Sequence, residues 1–221
     1  MYDAKDKWIN GKRNSAVHHL RSNYNLDAGT VSLSPAGSVA PVSFRLPGEA
    51  DRASAWLSSY FGEPVTLRHS PEGFPDDTDA PGPTVISTAT LEAVCGWFPG
   101  LALESASERF RANLEISGVP PFWEDRLFAA DAATTVRFRI GDVLVEGVNP
   151  CARCVVPSRD PHTAAAIESF QVQFAAARKT NLPAWSPAGR FNHFYRLAVN
   201  TRIPPAEWGK TLRVGDPVAL L

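Results

Sequence analysis

Apolar residues recur at intervals of two over short stretches, and proline or glycine closes most of those stretches, the pattern of a sheet-rich chain. TVSLS (30–34) and VAPVSFRL (39–46) alternate on either side of a Pro-Ala-Gly-Ser turn and predict a hairpin, with Pro41 marking an edge strand or bulge. The period then lengthens. In PGEADRASAWLSSYFGEP, Trp56, Leu57, Tyr60 and Phe61 fall on one side of a helix that Gly62 stops. PVTLRH predicts a strand, and SPEGFPDDTDAPGP (70–83) is a polar, turn-rich loop or domain junction. TVIS follows as a buried strand. TATLEAVCGWF then reads as a helix capped by Thr88, carrying Leu91, Val94 and Cys95 toward the core.

Farther along, NLEIS and VRFRIGDVLVEGV alternate as strands, with Gly141-Asp142 as a hairpin turn. CARC follows the second arm directly. PHTAAAIESFQVQFAAAR (161–178) has helical character, and HFYRLAVNTRI and KTLRVGDPVALL close the chain as strands. These elements predict an α+β chain that is mainly β: a mixed, mostly antiparallel β-barrel with helices packed outside it. A boundary near residue 75 would separate a β-rich N-terminal domain (1–75) from the barrel domain (76–221).

Charge narrows the range of functions. With 22 basic and 23 acidic residues the net charge is -1, so the broad cationic surface of a nucleic-acid binder is not expected. No apolar run reaches the ~18 residues of a membrane span, and MYDAKDKWINGKR lacks a signal-peptide core, so a cytoplasmic location is expected. Three cysteines are too few for a secreted disulfide framework, which leaves Cys151 and Cys154 of GVNPCARCVVPSRDPHTA in need of a chemical explanation.

Structural zinc wants four ligands, and no second half is present: Cys95 is distant, and His18, His19, His69, His162 and His193 form no ligand pattern. An iron–sulfur cluster fails by the same count. A thioredoxin-like dithiol belongs at a helix start, whereas Val155-Val156-Pro157 follows here. A semi-buried loop pair is the plainest alternative. The remaining option is a single thiolate on a soft, redox-active centre supplied mostly by a cofactor, with Arg153 neutralising an anionic group and Cys151 packing nearby.

RFRANLEI (109–116), FWEDRL (122–127), IGDVLVEGVNPCARCVVPSRDPHT (140–163) and LRVGDPVAL (212–220) occur in an order that resembles the MOSC proteins, named for the C-terminal domain of molybdenum cofactor sulfurases. DAPGPTVISTATLEAV resembles the linker, strand and helix before that domain, and KWINGKR is similar to part of an N-terminal β-barrel domain commonly found in front. In arrangement the chain looks like the amidoxime-reducing branch of the family and its bacterial counterparts.

The resemblance implies a molybdenum–molybdopterin cofactor and reduction of small N-hydroxylated or N-oxide substrates. Electrons would come from a separate flavin or iron–sulfur protein, and neither nucleic acid nor membrane is implied as a partner. It maps the molybdenum ligand onto Cys154 and the pterin and phosphate anchors onto Arg111 and Asn113, with Ser87 and Thr88 as further donors. Asp79 falls where related proteins carry a carboxylate near the active site, useful as a proton donor in N–O cleavage. Asp76 and Asp77 share that loop. The family's N-terminal domain usually opens with a strand and a Lys-Ser turn for the phosphate, and this chain begins after that point; Lys12 and Arg13 fall near a basic position that could still reach it. Ala164 stands where Gly usually follows the D-P-x-T motif, so a positive-φ turn there would be strained, whereas a continuing helix would tolerate it. The alternative function is a cofactor or sulfur carrier, holding the pterin or a persulfide for another enzyme.

Overall fold

The computed structural model, which describes residues 1–70 and 77–221, divides into two compact units. Asp76, the first aspartate of the loop, lies outside the described residues. The first unit comprises Met1–Phe74 and the excursion Arg159–Ala166. Its strands are β1 (Tyr2–Asp3), β2 (Leu20–Asn25), β3 (Thr30–Pro35), β4 (Val42–Arg45) and β5 (Val65–Thr66), with one helix, α1 (Ala50–Phe61). The expected hairpin is β3–β4, and its second strand begins just after Pro41. Tyr24, Val31 and Phe44 align across the antiparallel order β2-β3-β4. Val31, Leu33 and Phe44 from this sheet pack with Ala53 and Leu57 of α1. Leu57 is fully buried, worth about 2 kcal/mol of apolar transfer. Trp56 stacks on Tyr60 at 5.7 Å, and Gly62 ends the helix at φ 70°.

The second unit carries β6 (Val85–Ser87), α2 (Thr88–Cys95), α3 (Leu103–Phe110), β7 (Leu114–Ile116), β8 (Val136–Ile140), β9 (Val143–Ala152), α4 (Phe170–Thr180), β10 (Arg196–Arg202) and β11 (Val218–Leu220). Its six strands form a curled half-barrel in the order β11-β8-β9-β10-β6-β7. Every pairing is antiparallel except β6–β7, whose parallel crossover is supplied by α2 and α3. Alternation divides the interior between the faces. Val85, Phe138, Val145 and Val199 meet Leu127 and Phe128 in one core, while Ile86 and Leu197 join Leu91, Phe110, Phe170 and Phe174 in the other.

Three local expectations are corrected. Ser87 rather than Thr88 caps α2: its Oγ accepts from Thr90 N at 3.1 Å, and Thr88 is the first helical residue. The helix expected from residue 161 starts only at Phe170. Asp160 Oδ1 accepts from His162 N, Thr163 N and Thr163 Oγ1, a turn that competes with helix, and Ala164 then adopts φ 61°. The last strand shrinks to Val218–Leu220 because Gly215, at φ 94°, and the Arg213–Asp216 turn precede it. Helix α3 was not expected. Among the described residues, no helix is long and apolar enough to cross a membrane.

Candidate functional site

The site is built on the end of β9, where Asn149, Pro150 and Cys151 lie between two register shifts. From Arg196 to Val199 β10 advances three residues while β9 advances two, from Ala152 to Pro150, so β10 holds an extra residue opposite Cys151. From Asn149 to Gly147 β9 advances two while β10 advances one, so here the extra residue is on β9. Two sequence features permit this. Pro150 has no N–H to give the ladder, and Ala198 takes φ 70° in the first bulge. Bulges re-aim side chains, which is why they gather beside functional sites.

Beyond the bulges β9 continues to Ala152, and Arg153 N still donates to Tyr195 O at 3.1 Å. Cys151 lies on β9, whereas Cys154 lies beyond the last residue of that strand, and both thiols are free. The two cysteines therefore differ in kind. Cys151 is half-buried, packs against the α2–α4 core and accepts a hydrogen bond from Arg153 Nη1 at 3.2 Å. Cys154 is exposed. Among the described residues no group of three or more His, Cys, Asp and Glu is placed to hold a metal ion.

Arginines bolt this strand end to the C-terminus of α3. Arg153 Nη2 donates to Phe110 O, its guanidinium sits 5.6 Å from the Phe110 ring, and Arg109 Nη1 donates to Pro157 O at 3.3 Å from the other side. A helix end offers unpaired carbonyls and partial negative charge, so arginine suits it. Arg153 thus works as a staple, with donors spent on Phe110 O and the Cys151 sulfur. Arg111 is the next residue after Phe110. It ends α3 in the left-handed region at φ 50° and ψ 42°, a conformation usually left to glycine. Its side chain is exposed and has no hydrogen-bond or ion-pair partner among the described residues.

Asn113 ties the start of β7 to β6: its Oδ1 accepts from Thr84 N at 2.9 Å and from Thr84 Oγ1 at 3.0 Å, which leaves the Nδ2 donors available. Ser87 is fully buried with its hydroxyl engaged in the cap, whereas Thr88 is half-buried at the helix start. Asp79 is exposed and gives only its backbone N–H, to Asp77 Oδ1 at 3.0 Å. The acid docked on β9 and β10 is Asp77. Its Oδ2 accepts from Asn149 Nδ2 at 3.0 Å and Asn200 Nδ2 at 3.3 Å, and its Oδ1 also takes Ala80 N. These bonds, led by Asn149, hold the Asp77 carboxyl below the usual carboxylate range. Lys12 and Arg13 are exposed in the first unit. Arg13 already serves Trp8 O at 3.1 Å and Asp3 at 3.8 Å. Their turn is held by Arg159 Nη1, which donates to Gly11 O at 2.6 Å, so the segment after CARC and the basic turn belong to the same unit.

Sequence reasoning missed a polar layer under α2. Glu124 and Asp125 of FWEDRL are both buried. Asp125 Oδ2 accepts from Arg178 Nη2 at 2.5 Å and from Ser186 Oγ, while the Arg178 guanidinium lies 4.2 Å from the Phe122 ring centroid and 5.0 Å from that of Phe191. The ring faces accommodate donors of Arg178 that find no oxygen. Glu124 takes Thr90 Oγ1 at 3.0 Å, and desolvation pushes its carboxyl up to about 7. Two acids in sequence were a visible signal, but nothing in the sequence says that they turn inward. A cavity of about 490 Å³ between Val143 and the Ile203–Leu212 connection contains none of the expected site residues.

A curled antiparallel half-barrel, with a parallel pair crossed by two helices and a thiol-bearing strand end stapled to one of them, defines an α+β architecture rather than a zinc ribbon or a thioredoxin fold. The MOSC domain family matches residues 84–219, and the chain belongs to it. Membership ties the chain to molybdenum-cofactor-related function. No curated protein matches the chain.

Proposed function

We propose that the protein binds a molybdenum–molybdopterin cofactor through Cys154 and reduces small N-hydroxylated or N-oxide compounds, drawing electrons from a separate flavin or iron–sulfur protein in the cytoplasm. The observation that carries this reading is the division of labour at the strand end. Cys154 is exposed as one unshared thiol, while Cys151 is turned into the core and held by Arg153. A cofactor that brings its own dithiolene needs one protein thiolate and no more.

The chain's residues suit the rest of such a group. Arg111 presents a free guanidinium fork, matched to a phosphate by charge and geometry, and Asn113 offers its amide N–H groups two residues on. Thr88, at the start of α2, adds a hydroxyl. The side chains of Arg153 and Ser87 fix the scaffold rather than contact the ligand. When bound, the cofactor supplies a two-electron redox centre able to accept the substrate oxygen. Asp79, exposed on the loop, supplies a proton as water leaves, and the four-fold bonded Asp77 fixes that loop against β9 and β10.

The exposure of Cys154 also suits a second role, a carrier that hands the pterin or a Cys154 persulfide to another enzyme. Reduction of benzamidoxime by protein from a cofactor-producing host tests the first reading. Turnover that disappears in Cys154→Ser supports it. Persulfide on Cys154 by mass spectrometry, with no turnover, replaces it with the carrier.

A further inference from the structure

Beneath the start of α2 lies a carboxyl group that neither the thiolate nor the phosphate contacts use. Glu124 is 1% exposed. Its Oε2 accepts from Thr90 Oγ1 at 3.0 Å, and its Oε1 is buried with no donor. Thr90 Oγ1 also accepts from Phe122 N at 2.5 Å and lies 2.8 Å from Ser87 Oγ, while Ser87 Oγ accepts from Thr90 N at 3.1 Å. One carboxyl and two hydroxyls thus lock the helix cap to the Phe122 turn, and Phe122 itself sits at φ 61°.

Among the described residues no cation is paired with Glu124: Arg126 lies over the Trp185 ring, and Arg137 of β8 is exposed. Arg178 of α4 is committed to Asp125, and Asp125 opposes a second negative charge. Strands β8, β9 and β10, which also pack near this turn, send their charged donors elsewhere: Arg139 to Asp142 O, Arg196 to Pro150 O and Arg202 to Glu146. Apart from the two hydroxyls, only Glu124's own backbone favours the ionised form.

We infer that Glu124 is a proton-controlled latch: uncharged, it holds Ser87 and Thr90 together and fixes the first turn of α2; ionised, it draws water or strain into the layer and loosens that turn. Desolvation, which raises the carboxyl to about 7, puts the change within the neutral range. The consequence for ligand binding rests on the proposed cofactor reading, because Thr88 lies on that turn; the latch itself does not.

The test uses the full chain without cofactor. Amide hydrogen exchange across α2, corrected for intrinsic base catalysis, is measured from about pH 5.5 to pH 8 in wild type and Glu124→Gln. Protection of the first turn should fall about tenfold in wild type and stay flat in Glu124→Gln, which cannot ionise. Carbon-13 NMR of the glutamate carboxyls in wild type gives a check that does not depend on the variant folding, and should show one titrating near neutrality. PH-independent protection in wild type, the same pH dependence in Glu124→Gln, or all glutamates titrating in the ordinary range would each overturn the latch. Because no cofactor is present, absence of molybdenum binding leaves this result untouched, and a flat profile beside normal molybdenum loading removes the latch alone.

Discussion

Arg111 occupies a left-handed conformation at the end of α3 with its side chain unpaired, so the fold gains nothing visible from having arginine there. For a residue with a Cβ that conformation costs about 1 kcal/mol, and such strain tends to persist where a side chain is needed. Arg111→Gly should therefore raise stability by about 1 kcal/mol in urea denaturation while lowering cofactor retention at least about tenfold. A less stable variant with full retention would make Arg111 a structural residue. Ala164, at φ 61°, offers the same strain without a proposed role, and Ala164→Gly should stabilise by about 0.5–1 kcal/mol, read as a shift in urea midpoint. At this scale the identity of Arg111 was legible from its motif, whereas its backbone was not. The strand reading began at NLEIS with no helix expected before it, and only tertiary packing of Ala106 and Phe110 reveals the helix end. Asp77 was hidden for a similar reason: three aspartates share the loop, and only the paired Asn149 and Asn200 distinguish one of them.

Elements were easiest to read where alternation coincided with half-burial, as in β3, β4 and β8. They were hardest to read where the pattern was polar. LESASERF buries only Ala106, Arg109 and Phe110, too sparse a stripe to stand out, and the alanine run after His162 looked helical although Asp160 spends that stretch on a turn. One element contact should prove very sensitive. A Cβ on Gly147 would lie 1.7 Å from Leu127 O, so the turn carrying Glu124 and Asp125 reaches β9 only because that position lacks a side chain. Gly147→Ala should cost about 3 kcal/mol or more, measured by the urea midpoint; a loss below about 0.5 kcal/mol would mean the turn is free to move. The same turn gives the fold a pH dependence with a definite sign. Because burial raises Glu124 from 4.5 to about 7, its contribution is fully present below about pH 4.5 and lost as pH rises through 7. Over that window wild type should lose about 3 kcal/mol relative to Glu124→Gln.

Across the whole molecule, the family match over residues 84–219 accounts for the larger of two units, while the basic turn at Lys12 and Arg13 and the Arg159–Ala166 segment belong to the other. The order of motifs along the chain was enough to expect a MOSC fold and one ligating cysteine. What sequence could not supply was the local structure that separates the cysteines: Cys151 lies in the bulged end of β9 and packs against the core, and Cys154 lies beyond the strand, exposed. The central claim is that this asymmetry is chemical. Molybdenum content of wild type, Cys154→Ser and Cys151→Ser, all purified from the same cofactor-producing host, tests it most directly. About one molybdenum per wild-type chain is expected, with almost none in Cys154→Ser and most of it retained in Cys151→Ser. Wild type without molybdenum, or equal loss in both variants, would contradict it.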